Sequence, residues 1–229
     1  MSLKATDKEA IESARAVIEF LKGQLVTQLE PYSQRPGKKL VRLSRVWKES
    51  KLYRIVDLAS AALTMFEDSR LVPGCTLTRS LYETVAQMYY IQKKMKEAIE
   101  NKKLEEIHDY VVRGAWGSKD KSTEQEALQV LTAIDHLDKE FGGKDEYFHL
   151  CEYAHPNFKG GIGIYSEIKI PAYDVIFGMN PQGLPITAFG LGALDIILMV
   201  AKVLYERHLE LEKDFSEFVF ANATGVYAD

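Results

Sequence analysis

Apolar residues recur three and four positions apart through most of this chain, a period that belongs to helices rather than strands. Ile11, Ala14, Ile18, Leu21 and Leu25 predict a helix over 6–30, opened by a capping box of Thr6 and Glu9 and closed by Pro31, Pro36 and Gly37. Leu52, Ile55, Val56, Ala59, Ala62, Leu63 and Phe66 place a second stripe over 51–69, with a turn at Pro73-Gly74. Leu77, Leu81, Met88, Met95 and Ile99 mark a helix over 76–100, and Leu104, Ile107, Val111 and Ala115 mark one over 102–116. A further helix begins at the capping box of Ser122 and Gln125, carries Leu128, Leu131, Ile134 and Leu137, and stops at Gly142-Gly143.

The texture then changes. Gly160, Gly161 and Gly163 precede a stretch rich in Ile, Val and Tyr and broken by Pro171, which predicts a short hairpin or extended excursion near 162–178. Pro181, Gly183 and Pro185 lead into a last helix over 185–219, apolar all round in its first half and amphipathic through Leu204, Leu211, Phe215 and Phe218 in its second. Gly190 and Gly192 offer room there for a close neighbour. The expected fold is all-α: a single domain over 1–229, one bundle of six or seven helices around the last one. Met1-Ser2-Leu3 carries no weight in this reading, and the tail from Asn222 is expected to be loose. With 46% hydrophobic and 27% charged residues in 229, the chain has material for a substantial core and is not a disordered one.

Charge and cysteine content narrow the setting. A net charge of −4 supplies no global field toward nucleic acid or an acidic membrane. Two cysteines, Cys75 and Cys151, make no disulfide framework, and Lys4 to Arg15 lacks the basic-then-apolar order of a secretion signal; a reduced, cytoplasmic setting is the expectation. Ile186–Ala201 is apolar except for Thr187 and Asp195, but its sixteen residues fall short of the roughly 20 a spanning helix needs. A central Asp would also be costly in lipid, so a core helix hidden on all sides is expected, and no membrane partner. Asn222-Ala223-Thr224 matches a glycosylation sequon by chance.

One segment departs from the acidic balance. Residues 38–54 carry seven cations against Glu49 alone, and Lys38, Arg42 and Arg45 share a helical face at three-and-four spacing. That face suits a phosphate backbone, making Lys38, Arg42 and Arg45 the nucleic-acid-binding candidates; the alternative is a solvated face paired with acids elsewhere.

Candidate chemistry concentrates in Tyr147–Pro156, where two His, a Glu, a Cys and two Tyr fall within ten residues. His149, Glu152 and His155 stand three apart on a helix, which suits a mononuclear Zn²⁺ or Fe²⁺ site, although six residues carry the outer pair about 60° round the axis. Glu-x-x-His recurs at Glu105/His108, Glu146/His149 and Glu152/His155, but two of these share one short segment, whereas a di-iron bundle spreads its ligands over long facing helices. Cys151 beside His149 or His155 is a candidate nucleophile, against the alternative of an inert small hydrophobe. Arg207 and His208 are adjacent and do not have the spacing of a helical nuclease's Arg/His pair.

Arg79-x-Leu81-x-Glu83 and, some seventy residues on, Tyr147-x-x-Leu150-Cys151-x-x-Ala154-His155-Pro156 form a pair of motifs. The pair resembles an uncharacterised, mostly bacterial helical family, a domain of unknown function with Arg-x-Leu-x-Glu followed by Tyr-x-x-Leu-Ser-x-x-x-His-Pro. Cys151 stands where that pattern has Ser. The resemblance implies an all-helical, intracellular protein and transfers no activity. It singles out Arg79, Glu83, Tyr147, Cys151 and His155 as binding candidates, with the i,i+4 pair Arg79/Glu83 reaching His155 from another helix; the alternative is an ion pair that only positions helices.

Two function classes follow. The first is a non-catalytic cytoplasmic binding or interaction module, needing no cofactor, with a small molecule, a protein or a second copy as partner. The second is a metal- or nucleic-acid-dependent hydrolase using His149, Glu152 and His155.

Overall fold

The computed structural model of the protein describes residues 5–29 and 37–223, and within them the chain is all-α apart from one two-stranded hairpin. The elements are α1 (Ala5–Lys22), α2 (Lys38–Glu67), α3 (Leu71–Asn101), α4 (Leu104–Trp116), α5 (Val130–Phe141), α6 (Lys144–Ala154), the single turn α7 (Ile162–Tyr165), β1 (Ser166–Lys169), β2 (Asp174–Phe177), a π turn (Thr187–Leu191) and α8 (Gly192–Asn222). The expected helix stops at Pro31 and Pro36, the three leading residues and the tail beyond 223 lie outside the described residues.

The chain gathers into two compact units. One takes residues up to Gly23 with Arg54–Tyr82 and Gly143–Ala201; the other takes Gln24–Tyr53, Glu83–Gly142 and Lys202 onward. No composition shift marks this division, because α2, α3 and α8 each give part of their length to both units.

In the first unit, α1 buries Ile11, Ala14, Val17, Ile18 and Leu21, and the second half of α2 buries Ile55, Ala59, Ala62 and Phe66. The predicted stripes therefore do face a core. Helix α1 ends at Lys22 rather than near 30, with the Gly23 amide closing the last turn on the Glu19 carbonyl; glycine and the β-branched Val26 and Thr27 that follow are poor helix formers. The expected capping box at Thr6 does not open it, since the helix already includes Ala5. Asp7 instead turns inward and caps another element: its Oδ1 accepts the Thr187 amide at 3.1 Å and the Thr187 hydroxyl, satisfying donors at the start of the π turn.

Pro73-Gly74 is not a turn either. Helix α3 begins at Leu71, so Pro73 falls in the first turn, where its missing N–H costs nothing. Gly74 is there for space: a Cβ on it would lie 2.6 Å from the Phe66 ring. Gly190 does the same, its imagined Cβ standing 2.8 Å from that ring and 2.7 Å from Cys75 Sγ. Gly190 also has φ +154, outside helical space, and this bend produces the π turn that the periodicity of the last helix did not reveal.

In the second unit, α4 buries Leu104, Ile107 and Val111, carries Glu105 and Glu106 in its first turn, and ends where the Gly117 amide bonds the Arg113 carbonyl. Helix α5 starts at Val130, not Ser122: residues 117–129 form an irregular segment with a bridge between Ser118 and Glu126. Gly142 (φ +72) ends α5 as predicted, and Gly143 (φ +100) launches α6.

Two expectations about α8 need correction. It is helical through Asn222, where the tail was expected to loosen. Its apolar first half is not hidden on all sides, since Ile196 and Met199 are about half exposed. Thr187–Asn222 is long and apolar enough to cross a membrane by length and composition, while Asp195 within it accepts a 2.7 Å hydrogen bond from Ser13 of α1.

Gly190→Ala should lose about 2 kcal/mol or more of stability in urea unfolding, because the new methyl meets Cys75 and Phe66 and the backbone leaves a region alanine disfavours. Gly142→Ala, whose Cβ would meet nothing within 4 Å, carries only the backbone part of that cost.

Candidate functional site

Helix α6 is short and its burial pattern decides what its side chains can do. Tyr147, Leu150 and Tyr153 turn inward, which sends His149, Glu152 and His155 outward. His149 packs its ring on the edge of Tyr153 at 4.9 Å, and Glu152 accepts from Asn157 Nδ2 at 3.0 Å. His155 is already past the helix, with φ −85 and ψ 146, the extended geometry a residue before proline adopts. Among the described residues no group of three His, Cys, Asp or Glu could hold a metal. The structure thus does not bring His149, Glu152 and His155 together; the drift of the i,i+6 pair and the break before Pro156 separate them. The Glu-x-x-His pairs at Glu105/His108 and Glu146/His149 form no such group either.

Two of the motif-derived binding candidates do meet. The Arg79 guanidinium lies over the Tyr147 ring, 6.0 Å from its centre. Glu83 is half-buried one turn further along α3, and Cys151 is a half-buried free thiol. His155 is exposed and faces outward, so it does not serve as the buried end of that network. Beside Arg79, Tyr82 is almost fully buried with a hydroxyl that has no hydrogen-bond partner among the described residues; burial, aided by the charge of Glu146, pushes its phenol well above the ordinary range. Gly143 makes that fit, since a Cβ there would stand 3.3 Å from the Tyr82 ring. A cavity of about 380 Å³ opens between α6 and the π turn, lined by Asp145, Glu146, His149 and Thr187 among others.

The hairpin of the same unit presents a different surface. Its register pairs Ile168 with Val175, Lys169 with Asp174, Glu167 with Ile176 and Ser166 with Phe177. Alternation puts Ile168, Val175 and Phe177 on one face, and Glu167, Lys169 and Asp174 with Ile176 on the other. The strands are joined by Ile170-Pro171-Ala172-Tyr173, with a cis peptide bond before Pro171 and φ +56 at Tyr173. Gln182 pins the base by donating to the Ser166 and Gly163 carbonyls at 2.7 and 3.1 Å. The apolar face is nevertheless open: Phe177 is 77% exposed and Ile168 and Val175 are exposed as well, as are Ile176 on the other face, Ile170 and Tyr173 in the connection, and Phe158, Ile162 and Met179 on either side of the hairpin. The sequence pattern located this excursion but did not show that its apolar side would be left uncovered.

In the second unit, Lys38, Arg42 and Arg45 are brought together, lining a cavity of about 230 Å³ with Gln28 and Val41. Two other cations of the run are engaged elsewhere. Lys48 is buried, with Nζ 2.6 Å from Glu49 and 3.4 Å from Glu212, and Lys51 donates to Gln87 at 2.9 Å. Burial lowers the Lys48 pKa, but hydrogen bonds and charge from Glu49 and Glu212 outweigh it and leave the ammonium firmly protonated.

Sequence reading missed His208 in this unit. It is fully buried, its ring 6.3 Å from that of Trp47, and neither ring nitrogen has a hydrogen-bond partner among the described residues. The signal was present: His208 stands four residues after Leu204 and seven before Phe215, on the buried stripe of α8. Burial first, then the charge of Lys48, pulls its pKa down to about 4, with Glu212 opposing.

Comparison with family models, with curated proteins and with solved structures finds no match to this chain.

The buried imidazole makes stability depend on pH. The unfolded chain takes up this proton near the ordinary 6.5, the folded one only near 4, so the contribution of His208 is full above 6.5 and is lost as pH falls toward 4. About 3 kcal/mol should disappear across that window, less in proportion to any relaxation of the site. Urea unfolding of the wild type and of His208→Leu at pH 7 and pH 4.5 isolates the effect: the leucine variant should be the less acid-sensitive of the two.

Proposed function

We propose that the protein is a non-catalytic interaction module that pairs with a second copy of itself through the apolar face of its 166–177 hairpin. The observation that carries this reading is the run of nine exposed large apolar side chains between Phe158 and Met179. A lone two-stranded hairpin is marginal in water, and gains stability when its apolar face is covered. Two copies related by a two-fold axis would set Ile168, Val175 and Phe177 against their equivalents, while the cross-strand pair Lys169 and Asp174 stays in water on the other face.

A lipid surface suits the hairpin less well. Among the described residues each strand keeps one edge without a partner strand, and hydrocarbon cannot satisfy its backbone groups. Lys159, Glu167, Lys169 and Asp174 also balance to no net charge, giving no attraction to acidic headgroups. The hydrolase alternative has less support, because His149, Glu152 and His155 point outward without converging.

Light scattering during gel filtration, run over a wide range of concentration, tests the proposal. The wild type should be a dimer. Ile168→Asp and Phe177→Asp should each weaken self-association by about tenfold or more, by removing apolar burial and placing a charge in the interface, with helical content unchanged. A wild type that stays monomeric throughout, an aspartate variant that stays dimeric, or a monomer that sediments with vesicles would each overturn it.

A further inference from the structure

The first turns of α2 are electrostatically unusual. A helix N-terminus carries partial positive charge and favours acids, yet the first turn of α2 has none. Lys38 is its first residue, and Lys38, Arg42 and Arg45 follow one another at four and three residues, where like charges repel. All three line the 230 Å³ cavity, together with the Gln28 amide and an apolar floor that includes Val26 and Val41. Arg45 is held in place: its Nε bonds Glu212 Oε1 at 2.6 Å, and the same carboxylate receives Lys48 at 3.4 Å. These three cations at one concavity, two of them in the first turns of a helix, offer an entering anion several donors at once.

We propose that this cavity binds a phosphoryl group carried on a small molecule. Three cations and an amide donor lining one cavity suit a multidentate oxyanion, and guanidinium forks match phosphate oxygens geometrically. A cavity of about 230 Å³ has room for a pyrophosphate-sized anion. A nucleic-acid strand needs cations spaced along a face, and here the basic run is interrupted: Lys48 is buried on Glu49 and Glu212, and Lys51 is engaged with Gln87. Lys38 and Arg42 already have partners, so the phosphoryl group competes with their present contacts and binding weakens with added salt. This site lies in the second unit and stands or falls independently of the hairpin dimer.

Calorimetric titration of the full chain with inorganic pyrophosphate at fixed ionic strength is the test. One pyrophosphate should bind per chain, and Arg42→Gln or Lys38→Gln should each weaken it by about tenfold or more, while Lys96→Gln, in a cavity that shares no lining residue with this one, should leave it unchanged. Both informative positions are only partly exposed, so circular dichroism confirms that each variant is folded before it is titrated. Vesicles with and without a phosphoinositide identify the source of the group. Binding only to the phosphoinositide vesicles, competed by pyrophosphate, assigns a lipid headgroup; no vesicle binding assigns a soluble phosphate ester. Absence of pyrophosphate binding, equal binding by wild type and both glutamine variants, or binding to a single-stranded oligonucleotide without binding to pyrophosphate would overturn the proposal.

Discussion

The ring of Phe66 is the piece to which the first unit is fitted. It comes one residue before the end of α2, and only residues 68–70 separate that helix from α3, so Gly74 meets the ring from the next helix in the chain. Gly190 approaches it from the start of the last helix, and that approach is possible only without a side chain. The bend at Gly190 opens the π turn, whose Phe189 carbonyl takes the Cys75 thiol at 2.7 Å and whose Phe189 ring meets Tyr153 of α6 edge-on at 5.7 Å. Asp7 of α1 binds the same turn at Thr187. Four helices are thereby fixed to one five-residue element, and that element owes its shape to one aromatic ring needing room.

The all-α class and the hairpin near 162–178 were legible because both rest on period, and period depends on which face meets the core. Boundaries were less legible where a tertiary contact overrules a local signal. From the first turn of α1, Asp7 turns its carboxylate to Thr187, and Thr6 lies inside a helix that already includes Ala5 rather than at its cap. Pro73 read as a breaker because a sequence does not say whether a proline stands in the first turn or the middle of a helix. The division into two units had no signal in composition, since continuous helices pass through it.

Chemistry was legible in kind and not in direction. Clustering of His, Glu and Cys drew attention to α6, but three residues of rotation decide between core and solvent, and the phase there favoured Tyr147, Leu150 and Tyr153. Conversely His208 lies on the buried stripe of α8 between Leu204 and Phe215, while its neighbour Arg207 is exposed. The basic run shows both outcomes within seventeen residues: Lys38, Arg42 and Arg45 line a cavity as one face, whereas Lys48 is folded into an ion pair with Glu49. The hairpin is the clearest case of the limit. Alternation marks which side of a strand is apolar and is silent about whether anything covers it.

Cys75 carries a practical consequence. Burial pushes its thiol up to about 12, and the thiol is fully enclosed against the π turn. Thiol reagents act on the thiolate, so this sulfur reacts only in molecules whose π turn has come away from α3. Cys151, half-buried on α6, has no such enclosure. The two sulfurs therefore keep different time: one follows the surface, and the other counts openings of the joint that holds four helices together.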